Sequence, residues 1–363
     1  MNIIVDIWHP AEVHFFKNFI WRMKNSGHQV LVTSRNKDVI VGLLDNYGIE
    51  HTTLSIKGKG LLGLALELCR HNYRLLKLAK KFRPDVLTGF GGMSIAPVGR
   101  LLRKPSISFY DAEHATIILK VLTLPLITKM CTPSCYTKDY GKKHIRFDGY
   151  KELAYLHPNY YAPSEETLEK IGVAANEKYF VVRFVSWDAS HDINVKRLGL
   201  EDKKKLIRLL ERFGKVFISA EDNLVPADLQ KHLLRIDPKD FMDIIAFSSL
   251  VVSEGASVAS EAAVLGIPTI YINDLDTSYL TEESDRYHLV EKIVEWKILL
   301  RRVEEMLNDP GLKEEWKKRR KRLLEDKIDV TEWMIGFING AAPPKESSAG
   351  NKINSNHVKI GKV

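Results

Sequence analysis

The residues from Ser253 to Pro268 combine the features that phosphate binding requires. A turn of small residues, Gly255, Ala256 and Ser257, precedes a helical pattern, so the backbone can approach a ligand closely. A helix that begins there presents free N–H groups and the positive end of its dipole, which together favour a phosphate group. Glu261 follows about two turns later, where its carboxylate can reach a ribose hydroxyl. We expect this stretch to bind a nucleoside diphosphate.

Three ionisable side chains follow the first predicted strand, Ile3–Ile7. His9, Glu12 and His14 would lie at the mouth of a cleft, where the strand ends and a helix begins. Imidazole titrates near neutral pH and can take a proton from a hydroxyl group. We therefore expect His9 or His14 to act as the base toward an acceptor hydroxyl, with Glu12 as a further catalytic candidate. The alternative is that these are surface or helix-capping residues.

Two more clusters follow predicted strands in the first half of the chain. Gly91 and Gly92 open a turn that would let the backbone approach a substrate, so we expect them in the acceptor site. Asp111, Glu113 and His114 share one strand end, and three ionisable groups there are rarely needed for packing alone. We expect Asp111 and His114 to contact the acceptor substrate and Glu113 to take part in catalysis. The alternative is a helix cap with solvated charges.

The second half of the chain supplies further donor-site candidates. Arg183, Ser186 and His191 belong to a polar loop after a predicted strand, which should face the histidines across the cleft. We expect Arg183 or Ser186 to contact phosphate and His191 to contact phosphate or sugar. Asp274 follows a later strand and would bind the hydroxyl groups of the donor sugar. The alternatives are a surface ion pair for Arg183 and a helix cap for the loop around Asp274.

Buried strands alternate with amphipathic helices through both halves of the chain. The predicted helix Glu12–Asn25, for example, carries apolar residues at helical spacing. Repeated strand–helix units with short connections predict doubly wound parallel sheets, in which ligands bind beyond the carboxyl ends of the strands. We predict an α/β protein with two Rossmann-like doubly wound parallel-sheet domains facing each other across a cleft. The first would comprise residues 1–150 and the second residues 151–328.

The last part of the chain is rich in charge. Val290–Leu307 and Leu312–Asp326 are predicted as charged helices, and Asp329–Ile338 as a final amphipathic helix. Residues 341–363 contain mostly proline, serine, glycine, asparagine and lysine, and we expect this tail to be disordered.

The composition fits a two-domain globular protein and excludes several classes. The 363 residues carry a net charge of +8, with 45% hydrophobic and 28% charged residues. Three cysteines without a matching Cys/His pair predict neither disulfides nor a metal site. We expect no nucleic-acid partner, because no such motif accompanies the basic residues. No P-loop motif is present, and no Gly-x-Gly-x-x-Gly follows the first predicted strand, which argues against a dinucleotide enzyme. The expected location is a reducing cytoplasm, since no signal peptide precedes the first strand.

Two segments mix apolar and basic residues. The run Ala115–Met130 is interrupted by Lys120 and Pro125 and is too short to span a bilayer. The stretch from Lys57 to Leu64 combines lysines with leucines. Core packing is the simpler explanation for both, but either could rest on an anionic membrane that carries a lipid-linked acceptor. A peripheral contact with the cytoplasmic face of a membrane is therefore kept as an open expectation.

Taken in order, these motifs resemble the GT-B superfamily of nucleotide-sugar enzymes. The segment Glu254–Glu261 aligns without a gap with a superfamily motif of the form Ser-Gly-Ala-x-Thr-x-Ser-Glu. Pro84-Asp85-Val86 followed by Gly91-Gly92, and the stretch Tyr110–Ala115, resemble two further motifs. The glycine-rich loop found after the first strand in a related transferase is replaced by Trp8–Glu12. As a whole, the chain is identified as a member of the largely archaeal DUF354 family.

The resemblance implies a GT-B fold in which a helix at residues 329–340 crosses back to the first domain. It further implies a metal-independent glycosyltransferase without a cofactor, whose substrate is a nucleotide sugar, UDP-linked, bound at the small-residue turn and Glu261. The acceptor would be a glycan or a lipid-linked molecule. Two alternatives stay open: a UDP-sugar 2-epimerase, in which Glu113 and His191 would take part, and a non-catalytic nucleotide-sugar binding protein.

Overall fold

The computed structural model describes residues 1–37, 39–113, 119–174, 176–185, 199–220 and 225–341. Three residues expected in the site, His114, Ser186 and His191, lie outside the described residues, as does all but the first residue of the tail expected to be disordered. The described part contains two parallel sheets, one of seven strands and one of five.

The first sheet is built from strand–helix units that follow one another along the chain. The elements of this part are β1 (Asn2–Ile7), α1 (Pro10–Asn25), β2 (Gln29–Asn36), α2 (Ile40–Asn46), β3 (His51–Ile56), α3 (Gly60–Phe82), β4 (Val86–Phe90), α4 (Ile95–Leu102), β5 (Ser106–Phe109), a helical turn at Leu119–Thr123, β6 (Lys129–Pro133), a turn at Gly141–Lys143 and β7 (His144–Phe147). The strand order is β3-β2-β1-β4-β5-β6-β7. The central strand β1 is almost wholly buried, as is usual where helices cover both faces of a parallel sheet.

The second sheet follows the same plan with fewer strands. The elements of this part are α5 (Leu153–Leu156), α6 (Glu166–Lys170), β8 (Tyr179–Phe184), α7 (Leu200–Glu211), β9 (Lys215–Ala220), turns at Ala227–His232 and Pro238–Asp240, α8 (Phe241–Phe247), β10 (Leu250–Ser253), α9 (Ala256–Leu265), β11 (Thr269–Tyr271), α10 (Ser278–Asp285), β12 (Val290–Lys292), α11 (Trp296–Asn308), α12 (Leu312–Asp326) and α13 (Val330–Ala341). The strand order is β12-β11-β10-β8-β9. Leu233, which belongs to no strand, forms a one-residue parallel bridge to Ile218 of β9.

Both sheets reverse their strand order beside their first strand. The reversal lies between β1 and β4 in the first sheet and between β8 and β10 in the second. In doubly wound sheets, ligands bind beyond the carboxyl ends of the strands at this point. His9 follows β1, and Gly255 follows β10. The topology therefore puts the first histidine and the small-residue turn at the two positions where a ligand is expected.

Residues 149–156 of the connection between the two sheets are buried and contact the first and last helices. The carbonyl oxygen of Ala154 in α5 accepts hydrogen bonds from Asn18 Nδ2 of α1 and Thr331 Oγ1 of α13, each 2.8 Å long. The ring of Trp333 in α13 also packs against Phe147 of β7, with 5.1 Å between ring centroids. The helix that follows the second sheet thus packs on the first sheet.

One expectation about secondary structure is wrong, and two strands were not predicted. The stretch Val290–Leu307 is not one helix, because Val290–Lys292 forms the edge strand β12 and the helix begins only at Trp296. A three-residue strand is too short for its pattern to be distinguished from a helical one. The strands β6 and β7 were not expected, since β6 ends an apolar run without alternation and β7 is rich in charge.

The turn after β4 needs both of its glycines for backbone reasons. Gly91 and Gly92 have φ values of 71° and 78°, a region that side chains with a Cβ atom adopt at a cost. A Cβ atom on Gly92 would also lie 2.7 Å from Cγ2 of Thr123 and 3.1 Å from Cβ of Ser108. A Cβ atom on Gly91 would meet nothing within 4 Å. Packing and conformation therefore account for these residues without a bound substrate, and their role in the acceptor site stays a prediction.

We expect Gly92→Ala to destabilise the protein more than Gly91→Ala. Each substitution costs about 1–2 kcal/mol for the left-handed backbone. Gly92→Ala adds the contact with Thr123, and such overpacking costs about 1–3 kcal/mol. Urea denaturation of the two variants measures the difference. Equal losses of unfolding free energy would show that Thr123 moves aside freely and that the turn is not tightly packed.

Candidate active site

A cavity of about 280 Å³ lies between the two sheets, near the lower end of the size range of ligand pockets, about 300–1,000 Å³. Both halves of the chain contribute to its walls. The residues from the first half are His9, Ala11, Glu12, Phe15, Phe90, Asp111, Ala112 and, from the connection, Lys151. The residues from the second half are Ala256, Ser257, Leu275, Thr277 and Tyr279. The cavity thus brings together several candidate site residues that lie in different halves of the sequence.

The start of α9 forms one wall of the cavity. Gly255 is its N-cap, and the Gly255 N–H donates to Ser253 Oγ at 3.0 Å, while that hydroxyl donates to the Gly255 carbonyl at 2.8 Å. These bonds fix the turn that leads from β10 into the helix. Ala256 and Ser257 come next, and the first N–H groups of a helix have no partner within it. This wall therefore offers backbone donors and the positive end of a helix dipole.

Glu254 introduces a negative charge into this turn, and a lysine balances it. Glu254 Oε1 lies 2.8 Å from Lys203 Nζ, and both side chains are almost fully buried. Glu254 Oε2 accepts a hydrogen bond of 2.8 Å from the Val185 N–H at the end of β8. Removing one partner of such a buried pair ordinarily costs several kcal/mol, about 3–5. Lys203 was missed in the sequence because it belongs to a run of three helical lysines, none of which stands out.

Arg183 lies beside the same turn. Its Nη1 donates to Ser219 Oγ at 2.8 Å, and its Cγ is 3.7 Å from the position that a Cβ atom on Gly255 would take. The aliphatic part of Arg183 thus passes the turn while its guanidinium binds Ser219, and the expected contact with phosphate stays a prediction. Asp274 is exposed in the loop after β11 and is not among the residues that line the cavity, although Leu275 from the same loop is.

Glu261 is buried behind this wall and bonded to the connection. Its Oε1 accepts a hydrogen bond of 2.7 Å from Tyr155 Oη of α5. Burial raises the pKa of Glu261 to about 7, although the bond from Tyr155 opposes the rise. The carboxyl group therefore titrates near neutral pH. The expected contact with ribose is untested, and Tyr155 was missed because nothing in its local sequence pattern sets it apart.

The two histidines of the first loop differ in their surroundings. His9 is exposed, lines the cavity and caps α1, with Nδ1 accepting from the Ala11 N–H at 3.3 Å. His14 is buried, and its Nδ1 lies 3.1 Å from Tyr47 Oη. Burial, together with the charge of Lys17, lowers the pKa of His14 to about 3. This argues against His14 as a general base and leaves His9 as the better placed imidazole.

Glu12 is a buried carboxyl group in the cavity wall. Its Oε2 accepts a hydrogen bond of 2.7 Å from the Trp8 N–H, which fixes the loop that carries His9. Burial, reinforced by the charge of Asp6, raises the pKa of Glu12 well above its usual range. Glu12 therefore holds its proton more tightly than an exposed carboxyl group does, and its expected catalytic role is untested.

A lysine that sequence reasoning missed enters the cavity between two carboxylates. Lys151 Nζ is 2.8 Å from Asp111 Oδ2 and 2.8 Å from Glu152 Oε1, and it lies 4.7 Å from the ring centroid of Tyr279. Although burial opposes its charge, these carboxylates raise the pKa of Lys151. Asp111, expected to contact substrate, thus forms an ion pair in the wall. The positive charge of Lys151 is therefore balanced within the cavity wall by these carboxylates.

Glu113 joins the two halves of the molecule at the edge of the cavity. Its Oε1 accepts from the N–H and hydroxyl of Thr137, at 2.8 and 2.6 Å, and from the Ser278 hydroxyl. Its Oε2 accepts from the Ser278 N–H at 3.1 Å, at the start of α10. Although burial favours the neutral form, the bonds from Ser278 and Thr137 lower the pKa of Glu113. Both oxygens are engaged, so the contacts favour a connecting role, and the expected catalytic role is untested.

The raised pKa of Glu261 predicts a pH-dependent difference in stability. A carboxyl group whose pKa rises on folding stabilises the folded state below its unfolded pKa and loses that contribution as pH rises through about 7. Relative to Glu261→Gln, the wild type should therefore lose up to about 3 kcal/mol of unfolding free energy between about pH 4.5 and pH 7. Urea denaturation at both pH values measures it. A difference that does not change with pH would contradict the burial of this group.

Comparisons with known proteins agree with the observed architecture. The structure is similar to UDP-GlcNAc 2-epimerase from Neisseria meningitidis bound to UDP-GlcNAc, with a TM-score of 0.68, 13% identity and coverage of 94% of this chain and 100% of that one. It is also similar to spinosyn rhamnosyltransferase SpnG complexed with thymidine diphosphate, with a TM-score of 0.62, 14% identity and coverage of 93% and 100%. At these identities the likeness shows the GT-B fold alone.

Sequence comparison identifies the family. A relative, "Uncharacterized protein MJ0665" of Methanocaldococcus jannaschii, is 24% identical over 281 residues, which cover 74% of this chain and 81% of that protein. The family model described as "Protein of unknown function (DUF354)" matches residues 1–340. The two parallel sheets, the cleft between them and this match agree, and the chain belongs to the DUF354 family with a GT-B fold.

Proposed function

We propose that the protein is a glycosyltransferase that moves a sugar from a nucleotide donor, most suitably a UDP-sugar, to a glycan or lipid-linked acceptor. The observation that carries the proposal is the cavity between the sheets. One of its walls is the start of α9, suited to a diphosphate, and the opposite wall holds His9 and Glu12. A donor and an acceptor bound to these walls would meet inside the cavity.

The proposed chemistry uses groups that are already in place. The acceptor hydroxyl loses its proton to His9 as its oxygen attacks the anomeric carbon, and the bond from that carbon to the diphosphate breaks. The imidazole must give up its long capping bond to Ala11 to take the proton. The N–H groups of Ala256 and Ser257, together with the positive end of the α9 dipole, stabilise the charge that develops on the leaving diphosphate. The proposal therefore includes no metal ion and no cofactor.

The alternatives are supported less well. A UDP-sugar 2-epimerase has the same fold. However, Glu113, the acid expected to take part in epimerisation, already accepts hydrogen bonds from Thr137 and Ser278. A non-catalytic nucleotide-sugar binding protein would not require His9 in the cavity.

Incubation of the protein with UDP-GlcNAc distinguishes the transferase, the epimerase and the binding protein. Epimerisation without acceptor supports the isomerase, release of UDP only with acceptor supports transfer, and binding without turnover supports the binding protein. Calorimetry that detects no nucleoside diphosphate binding would contradict all three.

We expect His9→Asn to lower kcat by about 10²–10⁴-fold, the usual contribution of a general base. Asparagine is a good N-cap, so this substitution removes the titrating group and preserves the cap of α1. Thermal denaturation should accordingly show little change. The matched control is Glu12→Gln, which keeps an acceptor for the Trp8 N–H and should retain most activity. Full activity of His9→Asn together with an inactive Glu12→Gln would transfer the role of base to Glu12.

A lipid-linked acceptor is favoured by an apolar and basic surface beside the cleft. Ile56, Leu61, Leu62 and Leu66 are 73%, 87%, 83% and 58% exposed, at the end of β3 and the start of α3. We call these four residues the α3 surface. The start of α3 lies at the carboxyl edge of the first sheet, the same edge that carries His9. A hydrophobic surface of this kind is a common mark of a binding site on a protein or a membrane.

The charges around the α3 surface favour an anionic membrane. Lys57 and Lys59 precede the exposed leucines, and α3 contains several further basic residues. Its single acid, Glu67, is buried and paired with Arg35 at 2.6 Å. Within the described residues, no helix is long and apolar enough to cross a membrane. We therefore propose that the protein binds peripherally to the cytoplasmic face of a membrane through the α3 surface.

The α3 surface predicts binding to anionic vesicles. Wild-type protein should sediment with phosphatidylglycerol vesicles and much less with phosphatidylcholine vesicles, because each lysine near an anionic surface contributes about 1 kcal/mol. The double variant Leu61→Ser/Leu62→Ser should bind at least about tenfold more weakly. The matched control is Ile298→Ser in the second half of the chain, where the side chain is 41% exposed. The proposal would be refuted if the wild type bound both vesicle types equally, or if the double variant bound phosphatidylglycerol vesicles as strongly as the wild type.

A further inference from the structure

A second cavity, of about 770 Å³, lies at the amino ends of the strands of the second sheet, on the side away from the cleft. Lys178, Ser249 and Pro268 border it, and these residues directly precede β8, β10 and β11. The helix α12 covers it from the other side. Because the strands are parallel, the cleft cavity is at their carboxyl ends and this one is at their amino ends. The two cavities are therefore separate sites.

The inside of this cavity, which we call the rear cavity, is apolar. Phe180 forms part of its floor and is fully buried, and Ile267 and Leu265 are nearly so. The remaining apolar lining residues are Pro163, Phe213, Ala246, Met306, Leu307, Pro310, Leu312 and Leu324. Its volume is within the usual range for small-molecule pockets, about 300–1,000 Å³. A hydrocarbon chain would lose contact with water over most of its length there.

The rim of the rear cavity is basic. The lining includes five cationic side chains, Lys178, Lys313, Lys317, Arg320 and Lys321, and two acidic ones, Asp309 and Glu325. Both acids have partners: Asp309 accepts a hydrogen bond of 2.8 Å from the Gly311 N–H, and Glu325 lies 3.8 Å from Lys321. Lys178 and Lys313 are exposed and form no ion pair within the described part of the chain. The rim therefore favours a negative charge.

The chain's own tail is a poor occupant for this cavity. Residues 342–363 contain Lys345, Lys352, Lys359 and Lys362 against the single acid Glu346, so four positive charges and one negative leave a net charge of +3. A cationic segment would be repelled by the basic rim. An anion that ends in an apolar chain matches both the rim and the interior.

We propose that the rear cavity binds a single-chain amphipathic anion, such as a fatty acid or an alkyl or prenyl phosphate. The hydrocarbon chain lies between α12 and the starts of the strands. The head group lies at Lys178 and Lys313. This site is separate from the cleft and does not depend on the proposed glycosyl transfer. Together with the α3 surface, it would be the second place at which the protein binds lipid. The helix α9 connects the two cavities, since its first residues line one and its last residue, Leu265, lines the other.

Calorimetry with the full chain tests the proposal, with dodecyl phosphate below its micellar concentration as the probe. We expect one molecule to bind per chain and dodecyltrimethylammonium, which has the same chain and the opposite charge, to bind at least tenfold more weakly. Dodecanoate distinguishes the sources: binding similar to that of the phosphate indicates fatty acids, and much weaker binding indicates phosphorylated lipids. No binding of either anion, or equal binding of the cationic probe, would overturn the proposal.

Two sets of variants locate the site. Lys178→Gln/Lys313→Gln should weaken dodecyl phosphate binding at least fivefold, whereas Lys318→Gln, an exposed lysine of α12 outside the lining, should leave it unchanged. Ala246→Phe should fill part of the cavity and prevent binding, and circular dichroism checks that this variant is folded. If the lysine pair and Lys318→Gln have the same effect, the rim does not bind the head group and the assignment is wrong.

Discussion

The cleft depends on the hydrogen bonds and ion pairs made by one short buried segment, Tyr150–Leu156. Tyr150 Oη donates to Glu282 of α10, Lys151 pairs with Asp111 after β5, and Tyr155 Oη donates to Glu261 of α9. The partners come from both sheets. This segment therefore helps to hold the wall that carries His9 and the wall that carries the small-residue turn at a fixed distance. Glu113 and α13 add further contacts between the two halves of the molecule.

Many charged groups are buried around the cleft, and several of them pair with this segment. Taking a carboxylate out of water costs several kcal/mol, which a partner only partly offsets. Burial raises the pKa of Glu12, Glu152 and Glu283, and it raises that of Glu261 to about 7. Groups with pKa values shifted in this way are frequent at functional sites, which agrees with the site proposed in the cleft. Because the pKa of Glu261 is about 7, this group makes the stability of the folded protein depend on pH near neutrality.

Much of the fold could be predicted from the sequence, because buried parallel strands and amphipathic helices have distinct local patterns. The turn of Gly255, Ala256 and Ser257 at the start of a helix was predicted for the same reason, since it is encoded in the local sequence, and its contact with phosphate stays a prediction. What could not be predicted were contacts between residues far apart in the chain. Lys151 and Tyr155 belong to the cavity only because the fold brings them to Asp111 and Glu261, and no periodicity records such pairs. The edge strand β12 was missed because three residues carry too little pattern.

The local sequence at the strand ends does not show which of its polar side chains face the cavity. His9 and His14 look alike in sequence, yet one is exposed at the cavity and the other is buried against Tyr47 with a lowered pKa. Glu113 looks like a catalytic acid, yet its oxygens bind Ser278 and Thr137. In both cases the neighbour that decides the role lies more than twenty residues away. The sequence identifies the edge of the sheet that is used, and tertiary contacts decide which side chains there are available to a ligand.

The central claim is that the start of α9 binds the diphosphate of a nucleotide donor between the two sheets. A crystal structure of the protein with UDP tests it most directly. The account predicts phosphate oxygens within about 2.7–3.2 Å of the N–H groups of Ala256 and Ser257, with the ribose toward Glu261. A nucleotide bound elsewhere, or a diphosphate that makes no contact with this helix, would contradict it.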